Sequence, residues 1–390
     1  MSNEHKDGGS FKSRFSRFSR FSRVRWKDLR PLLKTDEREL IIQTHTRAKL
    51  THSPEENIMK KAWIYGAIGV LAVSAAGYGA YAQSKKYTIV TVVKITGINW
   101  FNRMETGVKK FATDTGHLAT QTGPSTADAA QQVAVIEDLI AKKPDAIAVV
   151  PFSPETLEPV LKKAMARGIK VITHEADNQT NTLYDIEAFD NVAFGGNLNA
   201  RLVKCMGGTG KWAVFVGSLT SKTHNQWADG GIANAKKSKG LNLVESKQET
   251  YDDADKAYAR AKEIIRKHPD IKGFQGSAST DVAGIGRAVE EAGLEGKTCV
   301  FGTSLPSIAG KYLDSGAVDG IGFWDPADAG YVMNKVAQMV LEGKKITNGM
   351  NLGVKGYEKV TVTKGKGSAQ IIKGKAFVDV DKANYKNFPF

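Results

Sequence analysis

From residue 86 onward, short β-branched apolar runs alternate with amphipathic helical patterns, and this alternation narrows the possible folds more than any other feature. Residues 87–93 (YTIVTVV) form a continuous apolar run, the signature of a strand buried on both faces of a parallel sheet. A helix is expected over 102–115 and stopped by Gly116, then a strand at 118–121. The next helix spans 128–142, with Val133, Ile136, Leu139 and Ile140 on one face, and a strand follows at 146–150. Ser153 and Pro154 open the following helix, Gly168 closes it, and residues 170–173 make a fourth strand. Four βα units spaced about 25–30 residues apart specify a doubly wound α/β layer.

The alternation then restarts. Strands are expected at 212–216, 243–248, 273–275 and 299–301, with helices near 229–238, 255–267 and 281–292. A strand at 319–324, a helix at 327–341 and a tail of short strands and turns complete the pattern. Two α/β units suit the length of 390 residues and the 41% hydrophobic content. Cys205 and Cys299 lie in apolar surroundings, where a buried free thiol is the default expectation.

The N-terminal region differs from the rest. Residues 62–84 are 23 residues without a charge, preceded by Met59-Lys60-Lys61 and closing on Ala80-Tyr81-Ala82 before Gln83. A short positive region, an apolar run and a small-x-small site together describe a signal peptide cleaved after Ala82; an uncleaved membrane anchor is the alternative. Residues 1–58 contain three Phe-Ser-Arg repeats starting at Phe15 and lack the periodicity needed for a core. They read as an extension preceding a true start at Met59, or else as a basic cytoplasmic tail on the anchor. The net charge of +14 divides into +5 for residues 1–58, +2 for 59–82 and +7 for 83–390. Dispersed lysines without a basic helix give no support to a nucleic-acid partner.

In doubly wound sheets, ligands meet the loops at the carboxyl ends of the strands. Those loops hold Lys94, Asn99, Trp100 and Phe101 after the first strand, and Glu175 and Asp177 after the fourth. In the second unit they hold Thr223, His224, Asn225, Gln226 and Trp227, then Ser277, Ser279, Thr280 and Asp281, then Ser304, and finally Trp324 and Asp325. Aromatic faces beside carboxylates, amides and hydroxyls suit a polyhydroxylated ligand, whose C–H faces stack on rings while its hydroxyls donate and accept. For Trp100, Phe101 and Trp227 an ordinary core role stands beside the ligand role, and Lys94 at a strand end could simply extend to solvent. His174 beside Glu175 lacks a second His or Cys at ligand spacing, so neither a metal nor a cofactor is expected. Residues 207–212 (GGTGKW) imitate a phosphate loop, but their glycine spacing is too short and Trp212 stands where Ser or Thr must bind magnesium. No nucleophile elbow or dinucleotide loop is present, so an enzyme is not expected.

Several motifs carry a family resemblance: Gly123-Pro124-Ser125, Pro144-Asp145-Ala146-Ile147, Ser153-Pro154, the Ala-Met-Ala-Arg-Gly of 164–168 and Val171-Ile172-Thr173. With a secretion signal ahead of two α/β units, the chain resembles the sugar-type periplasmic substrate-binding proteins of ABC importers. Lys94, Asn225-Gln226-Trp227, the segment 302–306 and Phe323-Trp324-Asp325 are most similar to the autoinducer-2-binding and rhamnose-binding branch. The resemblance covers roughly residues 86–390. It implies a type I fold of two doubly wound parallel-sheet lobes joined by a three-segment hinge, which closes on a sugar and presents it to a membrane permease. It also implies a monomer in the periplasm. Lobe one would hold residues 86–187 and 325–350, and lobe two 188–324 and 351–390, with crossovers near 186–192, 322–325 and 349–355. By this resemblance Lys94 corresponds to the lysine that contacts autoinducer-2, and Glu175 to an acidic ligand residue. Thr223 and His224 replace an Asp-Gln pair, and Ser277 and Ser279 replace Pro and Ala contacts. With most of that signature replaced, a pentose, a deoxyhexose such as rhamnose, or a sugar alcohol is expected in place of autoinducer-2. An autoinducer-2-type receptor or a membrane-tethered sugar sensor is the alternative.

Overall fold

The structure, a computed structural model, describes residues 85–390. The readings of 1–58 as an extension and of 59–82 as a signal peptide or anchor lie outside the described residues. In chain order the first elements are β1 (Thr88–Val92), α1 (Asn99–Thr115), β2 (Leu118–Thr122), α2 (Ala129–Lys142), β3 (Ala146–Val149), α3 (Pro154–Ala166), β4 (Lys170–His174) and β5 (Tyr184–Glu187). There follow α4 (Asn191–Cys205), β6 (Thr209–Val216), α5 (Lys222–Ala235), β7 (Gly240–Glu249), α6 (Ala254–Lys267), β8 (Ile271–Gly276), α7 (Asp281–Glu291), β9 (Cys299–Thr303), α8 (Pro306–Ser315) and β10 (Gly320–Phe323). The last are α9 (Pro326–Leu341), β11 (Thr361–Lys364), β12 (Gln370–Lys373) and β13 (Val378–Val380).

Two sheets result, in the orders β11-β12-β5-β4-β3-β1-β2 and β13-β10-β9-β8-β6-β7. Both are parallel except for one antiparallel edge strand each, β11 and β13. Each reverses its winding at one point, between β1 and β3 and between β6 and β8, where crevices form in doubly wound folds. Alternation along β1 explains the layering of the first lobe. Val90 and Val92 pack with α2 and α3, whereas Ile89 lies in the cluster containing Met104 and Val108 of α1 and Val332 and Val336 of α9. In the second lobe Val214 and Val216 pack with Leu202 of α4 and Ala228 of α5, and Phe215 with Phe274 and Ile285 on the opposite face.

The chain passes between the sheets at 188–190, 324–325 and 374–377. The last position corrects the expected crossover at 349–355. Residues 361–373 are β11 and β12 of the first sheet, so 351–390 do not all belong to lobe two. Three elements missing from the sequence reading are β5, α4 and α8. Strand β5 reads Tyr-Asp-Ile-Glu, and its two acids mask the apolar signal, yet all four residues are buried. Gly195 and Gly196 interrupt the pattern of α4, and α8 is only 10 residues long.

The expectation of free thiols at Cys205 and Cys299 is also corrected. They form a disulfide with a Cα–Cα distance of 6.1 Å, joining the end of α4 to the start of β9. The two cysteines are 94 residues apart, and only the fold brings them together.

Candidate functional site

Strand ends from both sheets converge on one cavity. From the first lobe Lys94, Ile98, Trp100, Phe101 and Glu175 line it. Lys94 follows β1, and Trp100 and Phe101 occupy the first turn of α1, which starts at Asn99 and not at the expected 102. Glu175 follows β4 and adopts φ 61°, a left-handed conformation rare for a residue with a side chain. The second lobe contributes His224 and Trp227 from the first turns of α5, Asp252 after β7, Ser277 and Ser279 after β8, and Thr303 at the end of β9. Trp324, at the second crossover, completes the wall.

Helix α5 begins at Lys222, seven residues before the expected 229. Its first turns lack apolar periodicity because they face the cavity and the opposite lobe. Asn191 of α4 accepts the Trp227 indole N–H at 2.9 Å, and Gly195 lies against the Trp227 backbone so closely that a Cβ there would overlap it. Trp324 stands at the centre of an aromatic cluster, with ring centroids 4.7 Å from Trp100, 5.7 Å from Trp227 and 5.9 Å from His174.

A buried ion pair dominates the electrostatics. Lys94 Nζ donates to Glu175 Oε2 at 2.7 Å, and the two side chains are only 3% and 4% exposed. Burial, the largest single influence on Lys94, lowers its pKa, but Glu175, Asp252 and Glu187 together raise it above the ordinary lysine value, so the ammonium stays charged. Lys94 Nζ also lies 3.5 Å from His224 Nε2, while the Gly217 N–H donates to His224 Nδ1 at 3.1 Å. Burial and the nearby Lys94 push His224 well below the usual histidine range, keeping it neutral. Asp252 is raised by burial, partly opposed by Lys94 and reinforced by Glu175. Among the described residues Asp252 Oδ2, Thr303 Oγ1 and Trp324 Nε1 have no hydrogen-bond partner although buried. A buried unpaired polar atom costs about 1–3 kcal/mol, so these three atoms are the places where a polar ligand gains most.

Of the residues singled out from sequence, Lys94, Trp100, Phe101, Glu175, His224, Trp227, Ser277, Ser279 and Trp324 meet at this cavity. Thr223, Gln226, Thr280 and Asp281 do not line it, nor do five others. Asn99 donates to Ser307 Oγ at 3.3 Å across the lobes, and Asp177 accepts from Gln226 Nε2 at 2.7 Å, also across the lobes. Asn225 donates to the carbonyls of Ser218, Leu219 and Ser221. Ser304 donates to the Ser279 carbonyl at 2.7 Å. Asp325 caps α9 through the Ala327 N–H and pairs with Arg103 at 2.6 Å. Asp252, Thr303 and Ile98 went unnoticed in the sequence. An acid in the loop after β7 was the available signal for Asp252, but Tyr251 and Asp252 both take positive φ, and this inward turn leaves no trace in the residue pattern. Among the described residues one group of three potential metal ligands converges, Cys205, Cys299 and Asp319, and the disulfide occupies both sulfurs.

Two doubly wound lobes, three crossovers and a cavity lined by strand ends of both lobes define a two-lobe solute-binding protein. The comparisons with known proteins give the family. A model described as "Periplasmic binding protein domain" matches residues 89–345, and the chain belongs to this family. The D-allose-binding periplasmic protein of Escherichia coli is 28% identical over 215 residues, covering 53% of this chain and 69% of that protein. The D-ribose/D-allose-binding protein of Pseudomonas aeruginosa is 25% identical over 228 residues, covering 56% and 70%. LsrB from Clostridium saccharobutylicum, solved with AI-2, superposes with a TM-score of 0.71 at 20% identity, covering 78% of this chain and 100% of that one. A solute-binding protein from Clostridium phytofermentas with bound L-rhamnose gives 0.71 at 21% identity, covering 78% and 98%. At such identities these two establish the shared fold.

Proposed function

We propose that this protein is the solute-binding component of an ABC importer, taking up one neutral monosaccharide by closure of its lobes and delivering it to a membrane permease as a monomer. The observation carrying this reading is the buried Lys94–Glu175 pair facing His224 and Asp252 of the other lobe, inside walls of Trp100, Phe101, Trp227 and Trp324. Carboxylate and ammonium bind hydroxyls by charge-assisted hydrogen bonds, and the indoles cover the C–H faces. One lysine against two carboxylates leaves no surplus positive charge for a sugar phosphate or sugar acid. Relatives named for allose and ribose agree with this ligand class, and those sugars join rhamnose at the head of the candidates. The Cys205–Cys299 disulfide suits an oxidising compartment, as does a periplasmic location. Cleavage after Ala82 would release the mature protein there.

The test is the melting temperature of the purified protein against D-allose, D-ribose, L-rhamnose, D-arabinose, xylitol, autoinducer-2, glucose 6-phosphate and glucuronate. A ligand at 100 times its Kd stabilises the folded state by about 2.7 kcal/mol, a shift of a few degrees for a chain this size. A shift with a neutral monosaccharide alone supports the reading. A shift with only the phosphate or the acid contradicts it.

A further inference from the structure

The hydrogen bonds of His224 settle which ring nitrogen carries its proton. Nδ1 accepts the Gly217 backbone N–H at 3.1 Å, so it must present its lone pair, and in the neutral imidazole the proton then sits on Nε2. Nε2 points toward Lys94 Nζ at 3.5 Å. That ammonium also carries only protons and has already given one to Glu175 Oε2. Two donors, one from each lobe, therefore face each other with no acceptor between them. Donors so arranged repel at contact, and the repulsion vanishes when an oxygen offering two lone pairs enters between them.

We infer that His224 and Lys94 form a two-donor corner reserved for a ligand oxygen that only accepts, the ring oxygen of a cyclic sugar or a carbonyl oxygen, making His224 a specificity-determining residue. The inference rests on the sugar-binding reading and narrows it. A hydroxyl oxygen fits less well because its own proton needs an acceptor, and at this corner the nearest one, Glu175 Oε2, is already taken by Lys94 and lies 3.4 Å from Thr223 Oγ1. Hydroxyl protons of the same ligand find Asp252 Oδ2, which lines the cavity, is buried and has no partner. A Cβ at Gly217 would crowd both Asp252 Oδ2 and His224 Nδ1, so glycine there permits the tight arrangement that fixes the tautomer. The corner selects cyclic aldoses and ketoses over open-chain sugar alcohols, which have neither a ring oxygen nor a carbonyl.

The experiment pairs each aldose with its alditol, D-allose with allitol and D-ribose with ribitol, in calorimetric titrations of the purified protein and two variants. The wild type should bind the aldose at least about tenfold more tightly than the alditol. His224→Gln, which keeps an N–H donor, should preserve that ratio, and His224→Met, which has similar reach and no donor, should bring it close to one. Equal binding of aldose and alditol by the wild type overturns the inference and leaves the sugar reading intact, as does an undiminished ratio in His224→Met. Absence of binding to every aldose and alditol by folded protein overturns both. A second readout needs no ligand: nitrogen NMR of the His224 ring should show Nε2 protonated and Nδ1 bare, and the reverse tautomer removes the basis of the inference.

Discussion

Lys94 and Glu175 are affordable in the interior only as a pair, because each removes the cost of burying the other. Glu175→Gln removes the carboxylate that the buried ammonium is hydrogen-bonded to and should lower unfolding stability in urea by about 3–5 kcal/mol while abolishing ligand binding. Adding Lys94→Met should restore most of that stability without restoring binding. A single-variant cost below about 1 kcal/mol would mean the pair is not held as described. A second pair of acids titrates in the fold. Asp185 and Glu187 lie on the same face of β5, and burial raises Asp185 to about 7; burial together with Asp185 raises Glu187 well above its usual value. A carboxyl with a raised folded pKa binds its proton more tightly when folded, so its contribution is present at low pH and is lost as pH rises from about 4 through about 7. The wild type should therefore lose stability across that window relative to Glu187→Gln, as measured by urea unfolding at pH 5 and pH 8. Parallel curves would show that the pair carries no excess proton. At this scale the sequence indicated the right loops more surely than the right residues. Asn99 stands beside Trp100, Asp177 two places after Glu175, and Asn225 beside His224, yet each points away from the cavity. Strand-end position is written in the residue pattern, whereas side-chain direction in a loop depends on φ and ψ, as the left-handed Glu175 and Asp252 show.

Among the elements, α4 and α5 do most to place the second half of the site. Gly195 and Gly230 allow their backbones to touch, and Asn191 fixes the Trp227 ring. Gly195→Ala should force the helices apart, cost about 1–3 kcal/mol and weaken sugar binding; unchanged melting and affinity would count against the packing described. The far end of α4 is tied to β9 by Cys205–Cys299, which closes a loop with a sequence separation of 94. Replacing both cysteines with serine should lower stability by about 2–4 kcal/mol, and an unchanged denaturation midpoint would show that the bond is not formed in the native protein. The strands of continuous apolar residues and the helices with clear stripes could be read from sequence. Helix α4 could not, because the glycines that let it pack closely are the residues that erase a helical signal, and the disulfide could not because sequence distance says nothing about distance in space.

For the whole molecule, two doubly wound α/β lobes were legible from the repeated βα rhythm, whereas the strand order and the path of the last 40 residues were not. Short segments such as β11, β12 and β13 carry too few residues to reveal which sheet they join, and pairing with β5 and β10 decides it. The lobes meet in a closed arrangement. Lys94 reaches His224, Thr223 reaches Glu175, Asp177 accepts from Gln226, and Asn99 donates to Ser307. Three of the six tryptophans, Trp100, Trp227 and Trp324, line the cavity, so the emission of the protein itself reports on its occupancy. Tryptophan fluorescence during titration with D-allose, D-ribose and L-rhamnose is the most direct test of the central claim. A saturable change with at least one of these sugars, absent in Glu175→Gln, is the predicted result. Flat emission across all three in folded protein would contradict monosaccharide binding at this site.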